Sequence, residues 1–579
     1  MKVANISNKN QDPIKRIIAQ LSAKANLTNQ EINRIFIRNP LKDRNVISKA
    51  KLLAAYKQLG LKPNDNFMSN IKMKAIRTLS GVTTVTVLTK PFPCPGRCIF
   101  CPNDVNMPKS YISSEPGAQR AASNGFDPYT QVLNRLTALR NIGHPTQKAE
   151  LIVLGGTWTS YPQKYQLWFI KRCFDALNKF GDKTYDSSTN VVLSAVNEEI
   201  HKKDGGVEYN LSVLQNVRAR PAATESANRS ELFDAHTKNE TSKVRCVGLV
   251  IETRPDEITQ AQVIKLRKLG VTKIQLGVQS LDDGVLRLNK RDHTVAQTVK
   301  AFSLLRAAGF KIHAHWMPNL YGSSPKKDIA GIKKLFTAQK FKPDELKIYP
   351  CSLIKGTELA KIYNQGLWKP YDYDTLLYVL TESLKIVPGY CRVTRVLRDI
   401  PSSEILAGNK LTNFRQNVEK ELKRQKFIIQ EIRNREIKDT KIKPGELKMR
   451  QTAYKTLSSK EVFLEYVNKE DRLAGLLRLS LPTTTPFIKE LEGCAIIREV
   501  HVYGQSLQLG SKGLSASQHA GLGYKLVTQS IAITRKNGYS KIAVISAVGT
   551  RKYYEKFGFN QEELYQVLDI SERKYPKKH

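Results

Sequence analysis

Between residues 81 and 350, short apolar runs recur, and each is followed by a stretch with helical spacing. GVTTVTVLT places Val82, Val85 and Val87 in a β-branched segment that suits an extended backbone. Further strands are expected at residues 151–154 (LIVL), 246–251 (CVGLVI), 273–277 (KIQLG), 312–316 (IHAHW) and 346–349 (LKIY). Strand–helix alternation sustained over more than 250 residues predicts an α/β fold around a parallel sheet, either a barrel or a large part of one.

A chain of 579 residues exceeds what one core supports, so two to four domains are expected. The pattern divides at 1–80, a basic helical region; 81–391, the barrel; 392–455, a basic helical linker; and 456–579, a smaller α/β domain. In the first region Ile14, Ile17, Ile18 and Leu21 are spaced as one helix face, and a second helix is expected near 46–59. The first ninety residues hold 17 Lys+Arg against 4 Asp+Glu, and residues 392–450 hold 16 against 8. Over the chain, 93 against 52 leaves a net charge of +41. Such a surplus calls for an anionic partner, nucleic acid first and an anionic membrane surface second. The polar stretch 187–242 reads as a surface excursion. With 41% hydrophobic and 25% charged residues, wholesale disorder, a collagen-like chain and a coiled-coil rod are excluded. No apolar run is long enough for a membrane span, the N-terminus has no signal-peptide core, and eight cysteines do not make a disulfide framework. A cytoplasmic protein is therefore expected.

Directly after the first strand, PFPCPGRCIFCPN carries Cys94, Cys98 and Cys101 as C-x3-C-x2-C. A [4Fe–4S] cube normally takes four thiolates. Three on one loop leave one iron open to chelate the amino and carboxylate groups of S-adenosylmethionine. The alternative is a zinc site lacking its fourth ligand. Downstream, Gly155 and Gly156 (LIVLGGT) would let a ligand approach the backbone. Glu252 and Arg254 (IETRPD) and Gln279 (GVQS) also follow strands, where α/β barrels place ligand-binding groups.

Near the C-terminus, strands are expected at 473–481, 495–503 and 541–546 and a helix after Gly523. The helix opens with QHAGLG, Gln518 to Gly523, a Q/R-x-x-G-x-G/A arrangement whose backbone N–H groups suit a pyrophosphate. GNAT acetyltransferases bind acetyl-CoA with this pattern. YYEKFGF follows, with Tyr553, Tyr554, Gly558 and Phe559; a phenol there can protonate the departing CoA sulfur. The competing role for Tyr553 is core packing.

The ordered set RTLSGVTTVTVLTKPFPCPG, SYISSEPGAQRA, LIVLGGTW, CVGLVIETRPD, IQLGVQS, LKIYPCSLIKGTEL, TRVLRDIPS, IREVHVYG, QHAGLG and VGTRKYYEKFGF resembles the catalytic subunit of Elongator and its single-subunit archaeal and bacterial relatives. The resemblance spans roughly residues 77 to 559. It implies a radical SAM partial TIM-type barrel joined to a GNAT acetyltransferase-like domain. It implies an acyltransferase-class enzyme that makes 5-carboxymethyluridine at the tRNA wobble position, working on the anticodon stem-loop. The implied cofactors are a [4Fe–4S] cluster on Cys94, Cys98 and Cys101, S-adenosylmethionine and acetyl-CoA. In the implied mechanism a 5′-deoxyadenosyl radical takes hydrogen from the acetyl methyl group, the carbon radical adds to carbon 5 of the uridine, the ring is reoxidised with loss of an electron and the C5 proton, and thioester hydrolysis frees CoA. Lys148 matches a lysine that contacts acetyl-CoA, expected to reach it from the radical side. Glu499, Val500, His501, Val502, Gly521, Leu522, Gly523, Tyr524 and Tyr554 match the acetyl-CoA contacts, with Lys148 and Tyr554 as the catalytic pair. The two basic segments match tRNA-binding surfaces. A homodimer or Elongator-like accessory subunits stay open as partners.

Two departures stand out. Relatives carry cysteine in the linker, where a structural zinc has been associated with the fold, but KFIIQEIRNREI has none, so no zinc is expected. Cys351 and Cys391 remain its candidates. HWMPNLYG has Trp316 where relatives read His-Met-Met-Pro, a change expected to alter packing near the cofactor. The competing functions are a protein lysine acetyltransferase with a structural iron–sulfur cluster and a tRNA-binding module without chemistry.

Overall fold

The computed structural model describes residues 12–24, 27–41, 47, 49–61, 64–71, 80–180, 227–411, 413–438, 444–503 and 521–571. Four short helices come first: α1 (Pro13–Ala23), α2 (Asn29–Arg38), α3 (Lys49–Gln58) and α4 (Asp65–Ile71). Ile17, Ile18 and Leu21 of α1 are buried in a small core with Ile32, Phe36, Leu52 and Phe67. Lys15, Lys24, Arg34 and Arg38 stay on the outside.

Seven parallel strands then form one sheet in chain order: β1 (Val82–Leu88), β2 (Lys148–Leu154), β3 (Arg245–Thr253), β4 (Lys273–Gln279), β5 (Lys311–Trp316), β6 (Glu345–Ile348) and β7 (Arg392–Val396). Sequential order with helical crossovers gives a curved half barrel. One face is apolar: Leu151, Val153, Leu249, Ile251, Ile274, Leu276, Ile312, Ala314, Leu346 and Ile348 pack against the helices. Burying each such side chain stabilises by about 1.5–3 kcal/mol, most for the largest.

The sheet extends past the expected boundary at 391, because β7 falls within the stretch read as linker. Charge dominates that stretch, but RVTRV has the alternation of a strand. Residues 229–241 also differ from expectation. They form helix α6, which follows α5 (Gln163–Phe180) and buries Leu232, Ala235, His236 and Asn239. Asn178 and Asn239 join the two helices by a 2.8 Å hydrogen bond, and Asn239 also accepts from the Cys246 amide at the start of β3. The polar composition of this stretch hid a narrow buried face. Helix α7 (Phe414–Arg424) buries Phe414, Val418 and Leu422, with Lys420, Lys423 and Arg424 facing outward and Arg415 turned in to Glu431.

The second sheet begins before residue 456, with β8 (Lys448–Lys455). It continues through β9 (Ser459–Val467), β10 (Leu473–Pro482), β11 (Cys494–Val502), β12 (Lys541–Val544), β13 (Asn560–Gln561) and β14 (Gln566–Asp569), with helix α8 (Leu522–Lys536) on it. Its order is β8-β9-β10-β11-β12-β14-β13. β11 and β12 are parallel over Ile497 and Val544 and part beyond them.

The second sheet packs beneath the strand starts of the half barrel. Asp344, just before β6, accepts from Arg306 at 3.1 Å and from Arg498 of β11 at 2.5 and 2.9 Å. Arg478 of β10 is 3.5 Å away. All four side chains are almost wholly buried. Burial pushes the Asp344 carboxyl up, but Arg306, Arg498 and Arg478 outweigh it and hold the group well below the usual carboxylate range. Arg267 donates to the Leu564 carbonyl, Tyr565 to the Ala308 carbonyl, and a side chain on Gly549 would lie 2.8 Å from the Cys246 backbone.

Removing Asp344 leaves three buried guanidiniums with only Glu461 and Glu499 to offset them. Asp344→Ala should therefore lower the stability of the joined halves by about 3–5 kcal/mol, read as a fall in the urea midpoint. In the wild type this contribution is present at neutral pH and lost as pH falls below about 4, because only the folded carboxyl is held ionised there. An unchanged midpoint would mean that the network adds nothing to the junction.

Candidate active site

The cysteine loop leaves β1 at its C-terminal end. Thr89 is tied to β2 through the Leu154 carbonyl at 3.0 Å, and the Cys101 amide bonds to the Cys98 carbonyl at 3.1 Å. Ile99 is held by the Asn289 carbonyl and accepts from the Leu359 amide. The three thiols are half-buried. Cys94 Sγ lies 3.3 Å from Thr157 Oγ1, Cys101 Sγ 3.2 Å from Ser110 Oγ, and Arg291 Nη1 donates to Cys98 Sγ at 3.2 Å. Burial, and then the charge of Cys98, pushes the Cys101 thiol up.

Arg254 closes the other side. Asp256 holds its Nε and Nη2, whereas its buried Nη1 has no hydrogen-bond partner. A Cβ at Gly96 would lie 1.9 Å from that atom. Two guanidiniums thus stand against a loop of three thiols, which fits an anionic thiolate-bound cluster. Among the described residues no three His, Cys, Asp or Glu side chains converge on a single ion. A cube, whose thiolates bind different irons, asks for wider spacing than one zinc does. The zinc candidates lie elsewhere: Cys351 is buried among Ile99, Leu353 and Trp368, and Cys391 is fully buried, with both thiols pushed up by burial.

The other candidates at this end meet the loop. Glu252 accepts from Tyr111 at 3.2 Å and faces His315 Nδ1 at 3.5 Å. Burial raises its carboxyl against the opposing pull of Lys347 and Arg398. Gln279 sits at φ 65°, a left-handed backbone rare for a side-chain-bearing residue, and its buried Oε1 has no partner. Gly155 and Gly156 are required by the chain's own packing. A Cβ on Gly155 would lie 1.8 Å from Thr89 Oγ1, and one on Gly156 3.3 Å from the Lys109 carbonyl, so the chain itself takes the space. Trp316 ends β5 in register with Gln279, but its ring lies on the helix-covered face, filling the gap beside Gly331.

Lys148 is at the opposite end of the barrel. It opens β2, paired in register with Val82 and Arg245, so seven strand residues, about 20 Å, separate it from the loop after Leu154. Burial and then Arg245 lower its proton affinity. Glu499 is at this end too. Its carboxylate bonds to Lys311 at 2.5 Å and to Arg478 at 2.7 Å. Burial opposes these cations, but Lys311 and Arg478 hold it at about 2. Its side chain is thus spent on the barrel, leaving the backbone of residues 499–502 for a ligand, where β11 has parted from β12. His501 is buried against Tyr503, ring centres 4.3 Å apart, and burial brings it down to about 4.

Helix α8 starts beside this cleft. Gly521 adopts φ 66°, Leu522 is buried and Tyr524 is 49% exposed. A Cβ at Gly523 would lie 2.7 Å from the Tyr553 hydroxyl, so that phenol stands over the first turn of the helix. Tyr554 is in the core with Phe559, and burial pushes its phenol up. Val500 and Val502 border the same core edge. Gln518 lies outside the described residues.

Between the two ends runs an inner face that the motif search missed. Lys273 reaches Glu150 at 2.8 Å and Glu345 at 3.2 Å. Lys311 reaches Glu345 at 3.2 Å. Above them, His313 Nδ1 is 3.2 Å from Glu345, and His315 Nε2 is 3.1 Å from Gln275 Oε1. Burial drives both imidazoles far below their ordinary range and keeps them neutral. The signal was in the sequence: KIQLG, KIHAHW and ELKIY alternate polar and apolar residues, whereas a parallel strand covered on both faces reads as continuously apolar.

A parallel half barrel that offers three thiols from the loop after its first strand defines the radical SAM class. The family model described as Radical SAM superfamily matches residues 93–327, and the Radical_SAM C-terminal domain matches residues 343–424. The chain is 38% identical to the tRNA uridine(34) acetyltransferase of Dehalococcoides mccartyi over 84% of its length and 97% of the relative's. It is 32% identical to Elongator complex protein 3 of Homo sapiens, over 86% of each. A solved archaeal structure, Methanocaldococcus infernus Elp3 with an N-terminal deletion (1–46), superposes with a TM-score of 0.66 at 32% identity, covering 85% of this chain and 100% of that one. The chain belongs to the family of tRNA uridine(34) acetyltransferases and Elongator complex protein 3.

Cys98→Ser removes the one thiol held by Arg291. After anaerobic reconstitution the variant should carry much less than half the wild-type iron and lose the visible absorbance of a bound cluster. Wild-type iron content would remove Cys98 from the ligand set.

Proposed function

We propose that this chain installs a carboxymethyl group on carbon 5 of the wobble uridine of tRNA, drawing the two carbons from acetyl-CoA. Family membership supports the tRNA uridine substrate and the enzyme class. The single observation that carries the finer reading is the shared inner face. The cysteine loop stands at one end of it, and Glu499, where the 499–502 cleft begins, bonds to Lys311 at the other.

When bound on Cys94, Cys98 and Cys101, a [4Fe–4S] cluster supplies one-electron reductive cleavage of S-adenosylmethionine. The surrounding side chains have separate tasks. Arg291 and Arg254 offset the thiolate charge, and Glu252, oriented by Tyr111, offers a carboxylate to the amino group of S-adenosylmethionine. Gln279 holds an unused carbonyl oxygen toward the same space. At the other end, the N-terminus of α8 receives the CoA pyrophosphate, Tyr553 stands beside it, and the backbone at 499–502 takes the pantetheine arm. Lys148 offers a cation at that end and Tyr554 a buried phenol that stays protonated. An acetyltransferase acting on lysine needs neither the guanidinium-flanked thiols nor the polar face between the ends.

Two experiments test this reading. With trideuteromethyl acetyl-CoA, the reconstituted enzyme and tRNA should give 5′-deoxyadenosine that carries deuterium and a nucleoside with two deuterons in its CH₂ group, read by mass spectrometry. An intact deuterated acetyl group on lysine or on tRNA would overturn it in favour of ordinary acyl transfer. Secondly, α1 to α4 turn basic residues outward from their own small core. tRNA affinity should fall steeply with salt, with a log–log slope of roughly −0.7 to −0.9 per phosphate. Deleting residues 1–75 should flatten the slope by at least two such contacts, and an unchanged slope would leave the helices without a role in binding.

A further inference from the structure

Three lysines of β4, β5 and β6 face the inside of the half barrel, and one differs from the other two. Lys273 and Lys311 are each bracketed by two carboxylates within 3.2 Å. Lys347 has none within ion-pair distance among the described residues. Its Nζ donates to the neutral Gln275 Oε1 and lies 5.9 Å from the Tyr349 ring centre. It is also half-buried where Lys273 is buried, so an incoming group can reach it. In register it stands beside His315, and Gln275 pairs with Glu252 across β3 and β4. Lys347 therefore sits between the closed ion pairs below and the cysteine end above. A poorly solvated ammonium with only an amide oxygen to bond is incomplete without an anionic oxygen.

We propose that Lys347 forms an oxygen-anion subsite, which holds the acyl carbonyl of the donor and then the carboxylate of the product. This rests on the carboxymethyl reading above. A thioester carbonyl accepts one hydrogen bond from the ammonium, and the carboxylate formed from it is a full counter-charge. Uridine carries no charge at that position, so the subsite separates product from substrate by one charge-assisted hydrogen bond. Two sources of an oxygen acceptor, the tRNA backbone phosphates and the acyl group with the carboxylate it becomes, share this chemistry and are told apart below.

The groups facing Lys347 leave it as the titrating cation. Burial lowers its proton affinity, to about 8, with Glu252 and Glu345 opposing and Arg395 and Lys273 reinforcing. His313 and His315 are held neutral by burial. Burial raises the Tyr349 phenol, to about 12, so it too stays neutral.

The test is equilibrium binding to the full chain, with no turnover. A fluorescein-labelled anticodon stem-loop bearing 5-carboxymethyluridine at the wobble position is compared with the same RNA bearing uridine, by anisotropy at pH 7 and fixed salt. The wild type should bind the carboxymethyl RNA about tenfold more tightly, the span of one charge-assisted hydrogen bond. Lys347→Met should abolish that preference, and Lys347→Arg should retain most of it. In the wild type alone, the preference should shrink as pH rises from 7 to 9 and the ammonium is lost. Equal weakening of both RNAs in Lys347→Met would assign the lysine to a backbone phosphate and overturn the proposal. A wild type without preference, a preference that survives in Lys347→Met, or one that ignores pH would overturn it as well. Failure of the carboxymethyl reading would show separately, as a different nucleoside in the enzyme's product.

Discussion

Everything in this molecule is hung on one fully buried carboxylate. Asp344 stands at the mouth of β6 and gathers Arg306 from the half barrel with Arg478 and Arg498 from the second sheet. An ion pair in a dry interior gains little over an apolar contact, but a broken one is costly. The network therefore acts less as glue than as a specification of position: only one seating of β11 under the barrel satisfies all of these charges. That seating puts Glu499 against Lys311 and so sets where the 499–502 cleft opens.

From this junction the inner face follows as a chain of charges. Glu499, Lys311, Glu345, Lys273 and Glu150 are linked by contacts between 2.5 and 3.2 Å. The pairs are neutralised at the closed end, and charge becomes available toward the cysteine end, where Lys347, Glu252 and Arg254 have bonds left to make. The gradient is one of satisfaction: the farther from the junction, the more the polar atoms depend on something bound.

Much of the architecture was legible in the residues. β1 to β6 and β10 to β12 fall where short apolar runs mark them, and the cysteine loop and Gly521 and Gly523 sit where motif spacing puts them. Three things were not legible, each for a physical reason. Residues 229–241 read as polar because helix α6 buries only four side chains. At Gly155 the sequence shows a missing side chain, but not that Thr89 stands where a Cβ would be. Lys148 matches a lysine that contacts acetyl-CoA, but the sequence does not show that it stands at a strand start, at the end of the barrel where Glu499 lies. The alternation in KIHAHW and ELKIY was visible and would have revealed the charged interior.

Gly549 has a wider consequence. Its Cα packs so tightly on the start of β3 that a single added methyl would meet the backbone of Cys246 at 2.8 Å. Swinging the two halves apart would split Asp344 from Arg478 and Arg498 while Arg306 stays with it. A residue that no motif marks thus governs how near the two halves can stand: any larger side chain at 549 would lever the second sheet off the barrel and carry the backbone of 499–502 with it.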